Sequence, residues 1–211
     1  MLFSWCEHRP DPGPCRIGLM ADSHGDSRTI AAAAAFLKAG GCRWVIHLGD
    51  ICDSRDPSTA AACVAAVRRA GILAVRGNND HALVTGEDCR LDPVTRAWLA
   101  RLPLRIDTPP AVFIHNRPNI RRLAMAALFG DLTDAEILGF FYACPGRLLF
   151  RGHSHRPLIQ RADAGGLMQA PLPGAPGVAV DGGAAITCGS LDQGAVLVWD
   201  TGARRVARLT F

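Results

Sequence analysis

No apolar run in this 211-residue chain approaches the roughly 20 residues that a bilayer-spanning helix needs; stretches such as Ile30 to Leu37 are among the longest. Met1 to Pro14 carries charges and prolines where a secretory leader needs an apolar core, so the expectation is a soluble, cytoplasmic protein without a membrane partner. The eight cysteines (6, 15, 42, 52, 63, 89, 144 and 188) include no C-x-x-C pair. That scatter argues against a structural zinc centre, a redox motif or a disulfide framework, and the cysteines read as reduced, semi-buried small residues. Aromatic residues are scarce at 6%, with one Tyr and four Trp, so a row of stacking platforms for single-stranded nucleic acid is missing. The formal charge of +4 is spread along the chain rather than gathered in a basic stripe. Such a balance tolerates an anionic substrate without indicating nucleic acid, which stays open as a partner. What is present, 49% hydrophobic and 20% charged residues, suits one domain over 1–211 with a sizeable core and excludes disorder for most of it.

The first half repeats one rhythm of a short apolar run, a Gly- or Asp-rich turn and an Ala-rich helical stretch. Strands are expected at Arg16 to Ala21, Arg43 to Leu48 and Ile72 to Val75, with helices at Ser27 to Ala39 and Ser58 to Arg69. Alternation of this kind argues for βαβ units and a parallel sheet. A further helix is expected at Asp92 to Arg101, with Asp92 as its cap before Pro93, and another at Thr133 to Phe141, where T-D-A-E makes a capping box. Ala111 to Ile114 is another apolar run, and from Leu148 onward short strands prevail: Leu148 to Phe150, Leu158 to Arg161, Val178 to Val180, Ala184 to Thr187, Ala195 to Trp199 and Arg205 to Leu209. The Gly- and Pro-rich stretch 164–177 reads as a loop, 1–14 as an N-terminal arm and 118–131 as a candidate insertion.

Five of the apolar runs end in residues able to carry chemistry. I-G-L-M-A leads to Asp22 and His24, and W-V-I-H-L leads to Gly49, Asp50 and Asp53. I-L-A-V-R leads to Gly77, Asn78, Asn79 and Asp80, A-V-F-I leads to His115, and L-L-F-R leads to Gly152, His153 and His155. Each alone is an ordinary turn former. Jointly they put oxygen and imidazole donors at the carboxyl ends of buried strands, where open α/β sheets carry their ligand sites. D-x-H and H-x-H set two donors on one side of an extended strand end, and mixed carboxylate, carboxamide and imidazole donors suit borderline divalent metals.

This ordered set resembles the calcineurin-like metallophosphoesterase superfamily, with its D-x-H, G-D-x-x-D, G-N-x-(D/E), lone H and G-H-x-H motifs, and in particular its bacterial phosphodiesterase-like branch. The later segment A-I-T-C-G-S-L is similar to the N-P-G-S segment of that branch. The resemblance implies a four-layer α/β/β/α sandwich, two mainly mixed β-sheets flanked by helices, with metals at the strand ends along one edge. It implies two divalent ions, manganese first and Fe, Zn, Ni or Co as alternatives. Asp22, His24 and His155 would hold one ion, Asn78, His115 and His153 the other, and Asp50 would bridge them. Asp53 and Asp80 would stand behind these ligands, orienting imidazoles or turning the backbone. A metal-bridging hydroxide would then attack phosphorus in a phosphodiester or phosphomonoester, with a nucleotide or another small phosphate ester as substrate.

The chain also departs from the family pattern. The position that many members fill with a general-acid His is here Asn79, which cannot release a proton to a leaving group. His81 is the candidate substitute; without one, aryl leaving groups are favoured. His115 is followed by Asn116 rather than Gly, and Arg55, Arg117 and Arg156 are candidate phosphate clamps beside the motifs. His47 is expected as a core residue or a support behind the ligands. Two functions follow: a metal-dependent phosphoesterase, or a catalytically weak module of the same fold serving protein interaction, with self-association left open.

Overall fold

Strands buried on both faces read as near-continuous apolar runs rather than alternating ones. The computed structural model, which describes residues 5–86 and 91–211, shows how this chain buries them. In chain order the elements of the first half are β1 (Cys6–His8), β2 (Arg16–Met20), α1 (Ser27–Ala39), β3 (Cys42–His47), α2 (Ala60–Arg69), β4 (Leu73–Ala74), α3 (Asn78–Thr85), α4 (Pro93–Arg101), β5 (Arg105–Asp107) and β6 (Ala111–Ile114). Then come α5 (Ile120–Leu123), α6 (Asp134–Ala143), β7 (Leu148–Arg151), β8 (Leu158–Asp163), β9 (Gly166–Pro171), β10 (Val178–Ala179), β11 (Ala184–Thr187), β12 (Ala195–Asp200) and β13 (Arg205–Thr210).

Two mixed sheets result, a six-stranded one in the order β10-β13-β12-β2-β3-β4 and a seven-stranded one in the order β1-β5-β6-β7-β11-β8-β9. Strands β2, β3 and β4 are parallel and are crossed by α1 and α2, while β6, β7 and β11 are parallel in the facing sheet. The period-two alternation divides each strand between two cores. Ile17, Leu19, Ile46 and Leu197 meet Phe113, Phe150 and Ile186 between the sheets. Met20, Val45 and Val196 turn outward to Ile30, Leu37, Val67 and Leu99 of the helices. On the far side, Val112, Ile114 and Leu149 pack under Ile137 and Phe140 of α6. The expected four-layer α/β/β/α sandwich is therefore the fold.

Local signals explain the helices. Asp26 caps α1 by accepting from the backbone N–H of Arg28 and Thr29, both at 3.0 Å, and its Ile30, Ala33, Ala34 and Leu37 form the buried stripe. That helix lies so close to its sheet that a Cβ on Gly18 would stand 2.8 Å from Leu37 Cδ1. Asp92 caps α4, and Thr133 with Glu136 forms the capping box of α6.

Several elements differ from expectation. Residues 6–8 of the expected arm form the edge strand β1 beside β5, itself not anticipated. The loop expected over 164–177 contains β9, a hairpin partner of β8 whose residues are mostly exposed. Residues 78–85 form α3, which buries only Asp80 and Leu83 and so carries little apolar period. The stretch 118–131 contains α5 and a 3-10 segment that send Ile120, Ala127 and Leu128 into the outer core. Among the described residues Cys15, Cys42, Cys52, Cys63, Cys144 and Cys188 are free, and Cys89 lies outside them. No helix among the described residues is long and apolar enough to cross a membrane.

Candidate metal centre

Every expected ligand follows a strand at the same edge of the sandwich: Asp22 after β2, Asp50 after β3, Asn78 after β4, His115 after β6, and His153 and His155 after β7. Backbone bonds lock these loops to one another. Asp22 N–H donates to Gly49 O at 3.0 Å, Ser23 N–H to Asp50 O at 3.0 Å, and Gly152 N–H to His115 O at 3.0 Å. The crossing is tight enough to require glycine. A Cβ on Gly49, where φ is +93°, would stand 2.7 Å from His115 Nδ1, and one on Gly77 would stand 2.1 Å from both the amide nitrogen and Oδ1 of Asp50. Asp22, His24, Asp50, His153 and His155 all adopt left-handed backbone, with φ between 43° and 71°. Non-glycine residues held there carry strain that a structure retains mainly at functional sites.

Two groups of donors result. In the first, His24 Nε2 faces His155 Nε2 at 3.1 Å, and the latter is 3.7 Å from Asp22 Oδ1. In the second, Asn78 Oδ1 lies 2.9 Å from His115 Nε2 and 3.0 Å from His153 Nδ1, and these two ring nitrogens are 3.2 Å apart. Asp50 Oδ1 stands 3.5 Å from His115 Nε2, and donor atoms of Asp22, Asp50 and His115 all lie within 4.8 Å of one another.

The protonation pattern fits cations. His115 Nδ1 is 2.8 Å from Leu48 O; a carbonyl only accepts, so the ring proton sits on Nδ1 and Nε2 presents a bare lone pair to Asn78 Oδ1. Burial favours the neutral form of three of the imidazoles: His115 and His155 lie below their ordinary value, and His153 is brought down to about 4, by burial first and then by the charges of its neighbours. Burial, then the charge of Asp50, pushes the Asp22 carboxyl well above the usual carboxylate range. Three lone-pair atoms within 3.2 Å can share at most one proton per pair, and two buried carboxylates repel. A divalent cation in each group would relieve both conflicts, and nitrogen and oxygen donors without thiolate suit Mn, Fe, Co, Ni or Zn.

Residues behind the ligands fix their orientation. Asn79 gives its backbone N–H to Asp50 Oδ1 at 2.8 Å and its side-chain Nδ2–H to Asp50 Oδ2 at 2.6 Å, while its Oδ1 accepts from Ser54 Oγ at 2.6 Å. It therefore positions the carboxylate and has no proton to deliver. Asp80 accepts from the backbone N–H groups of Ile51, Cys52 and Gly77, turning the backbone rather than touching an imidazole. Asp53 does the same for Arg55 at 2.8 Å. Arg117, expected as a phosphate clamp, instead forks onto Glu136 at 2.6–3.2 Å, since that half-turned helix cap offers it a nearly buried carboxylate. Arg55 and Arg156 stay exposed beside the ligand loops. His81 lies on α3, its ring packed edge-on with Phe129 at a centroid distance of 5.9 Å. Burial and the Arg76 charge bring it below its ordinary value.

The profile of the calcineurin-like phosphoesterase superfamily domain matches residues 15–195. The chain belongs to that superfamily. Among solved structures, a metallophosphoesterase from Sphaerobacter thermophilus superposes with a TM-score of 0.73 at 22% identity, covering 94% of this chain and 89% of that one. A protein serine/threonine phosphatase from Saccharomyces cerevisiae gives 0.60 at 14% identity over 99% and 84% of the two chains, and an archaeal phosphodiesterase gives 0.52 at 17% over 93% and 99%. At these identities the likeness speaks for the fold. A search of the curated proteins finds no match.

Within this calcineurin-like phosphoesterase, several supports were not read from the sequence. Ser23 Oγ donates to Ile51 O at 3.0 Å and lies 3.0 Å from Nε2 of the fully buried His47, joining the D-x-H and G-D-x-x-D loops. Arg151, also buried, reaches Asn116 O and Asn116 Oδ1 at 3.1 and 3.0 Å, so the residue after His115 is held from behind. Ser190 Oγ donates to Asp22 O at 3.1 Å, which ties the G-S segment after β11 to the first motif. The signal for Ser190 lay in that segment's likeness to N-P-G-S; the other contacts join residues distant in sequence and leave no local mark.

Proposed function

We propose that this protein is a dinuclear metal-dependent phosphohydrolase of the bacterial phosphodiesterase-like kind, cleaving phosphodiester or phosphomonoester bonds of a small molecule or nucleotide. The observation that carries the reading is the convergence of Asn78 Oδ1, His115 Nε2 and His153 Nδ1 within 3.2 Å beside the Asp22, His24 and His155 group. Asp22, His24 and His155 would hold one cation and Asn78, His115 and His153 the other, with Asp50 between them. Bound there, divalent cations, manganese first, supply Lewis acidity to a phosphoryl oxygen and bring the pKa of water at the site toward neutrality.

The chain's own residues set the rest. Asp22 and Asp50 offset only half the charge of two divalent cations, so the loaded site stays at about +2 and attracts a phosphate ester. Asn79 keeps Asp50 aimed between the two ligand groups through both its N–H donors. Exposed Arg55 and Arg156, close in sequence to Asp53 and His155, would offer their forks to a phosphate oxygen. His81, neutral at neutral pH because its value is lowered, is a poor proton donor, so esters with leaving groups that depart unprotonated are the preferred substrates.

The test is hydrolysis of an aryl phosphodiester and an aryl phosphomonoester by chelator-stripped protein with Mn added back, beside His153→Ala. Metal-dependent turnover lost in the variant supports the enzyme, and the ratio of the two substrates gives the ester class. An alkyl diester turned over equally by His81→Ala removes that histidine from the reaction. A second reading, a protein-interaction module with little activity, is favoured by Asn79 occupying the general-acid position; bound ions without turnover of any ester would select it.

A further inference from the structure

A groove of about 920 Å³ lies on the outer face of the seven-stranded sheet at its β1–β5 edge, and none of its lining residues is among the candidate metal ligands. Ile106 of β5 points into the core between the sheets, so Arg105 and Asp107 on either side of it face outward into the groove. Its opposite wall comes from Ile120, Arg121 and Arg122. Trp5, 42% exposed, forms one end. Arg105 and Arg147 both bond Asp107, so that carboxylate is already outweighed. Arg121 and Arg122 are exposed and have no ion-pair partner among the described residues. Two guanidiniums without an ion-pair partner among the described residues and a half-exposed indole thus share one concave site, with Pro118, Ile120 and Ala124 adding apolar lining.

We propose that this groove is a second ligand site, separate from the metal centre, for a phosphate-bearing molecule with a planar ring, of the mononucleotide class. The phosphate lies on the forks of Arg121 and Arg122, and the ring lies against Trp5. The volume falls in the small-molecule range of roughly 300–1,000 Å³. A nucleic-acid strand would call for a longer basic stripe than the few arginines here. Cys6, His8 and Asp107 bring thiol, imidazole and carboxylate atoms within 4.8 Å of one another, which raises a cation as a rival occupant. Two arginines on Asp107 oppose it, and burial raises the Cys6 thiol and keeps it protonated.

The experiment is titration calorimetry of the metal-loaded protein with a non-hydrolysable phosphonate analogue of AMP and, separately, with inorganic phosphate. It is run on the wild type, His153→Ala, Arg121→Ala/Arg122→Ala and Trp5→Ala. A site that survives His153→Ala, weakens about tenfold per arginine removed, and leaves aryl diester turnover unchanged in the double variant supports the proposal. Trp5→Ala should weaken the analogue about tenfold and leave inorganic phosphate alone. Undiminished analogue binding in the double variant overturns it, as does stoichiometric Zn binding that depends on Cys6 and His8. Should the double variant fail to fold by circular dichroism, Arg122→Gln gives the same readout at one exposed position.

Discussion

Gly77→Ala separates close approach from backbone freedom at the metal centre. Gly77 has φ −95° and ψ 179°, extended backbone that alanine adopts without strain, so the substitution acts only through what its Cβ meets. That Cβ would stand 2.1 Å from the amide nitrogen and from Oδ1 of Asp50, and 2.9 Å from its Cα, and the nitrogen and Cα are backbone atoms that cannot swing aside. Relief requires a shift on the order of 1 Å between the two ligand loops, and misplacements of that size cost about a hundredfold in rate. Overpacking adds roughly 1–3 kcal/mol of destabilisation, which for a chain of this length lowers Tm by about 2–12 °C. Gly139→Ala is the internal control. Gly139 lies exposed in α6 with nothing within 4 Å of its Cβ position, and the change should stabilise by about 0.5–1 kcal/mol. Chelator-treated protein melted with and without added Mn, alongside aryl diester turnover, reads both effects. Equal Tm and turnover in the two variants would refute the reasoning.

Arg117→Ala should destabilise by about 1–3 kcal/mol, because Glu136 is 7% exposed and would lose its fork, while KM for an aryl diester stays unchanged; a raised KM would return Arg117 to the substrate. Asn79→Ala removes one donor from Asp50 and should weaken metal affinity about 10–100-fold in a competitive chelator titration, and unchanged affinity would mean that Asp50 needs no such support. Asp26→Ala should cost about 1 kcal/mol at neutral pH. The Thr29 hydroxyl and the helix N–H groups hold the Asp26 carboxyl below its ordinary value, so its contribution is complete above the unfolded aspartate range and fades as pH falls through the lower folded value. Urea melts of both proteins from pH 7 downward should therefore converge only in acid; a constant gap would show that charge plays no part in the cap.

How much of this was legible in the sequence follows from where each residue's partners lie. Strands such as Ile17 to Met20 and Phe113 to Ile114 read clearly because both faces are buried, one between the sheets and one under helices. Helices α4 and α6 were legible for a local reason, since Asp92 and Thr133 bond groups within three residues of themselves. Helix α3 was not, because its first turn serves the site: Asn78, Asn79 and Asp80 sit where apolar residues would have marked the period. β1 and β9 are short or exposed edge strands held by main-chain bonds to neighbours, which leaves little for a side-chain pattern to report. Residues supplying donors to the metal centre could be picked out because each follows a strand. The contacts that aim them, Ser23 with His47 and Arg151 with Asn116, join loops across the sandwich and became visible only in three dimensions.

Strain and ligation at the strand ends lead to a last expectation. Asp22, His24, Asp50, His153 and His155 hold left-handed backbone, each at a cost of about 1 kcal/mol or more, and their loops turn lone pairs toward one another. The folded state keeps this arrangement because three apolar cores and the bonds from Asp80, Ser23 and Ser190 over-determine it. Cations that bind only this assembled geometry must then stabilise it by mass action, by about 2.7 kcal/mol at a hundred times Kd, or roughly 5–11 °C in Tm. Thermal melts of chelator-treated protein should rise with added Mn, and the rise should shrink in His153→Ala, which removes one donor from the Asn78 group without touching the strained loop that carries Asp22. A Tm indifferent to Mn, or an equal rise in the variant, would mean that the converging donors do not hold the ion, and the proposed chemistry would lose its foundation.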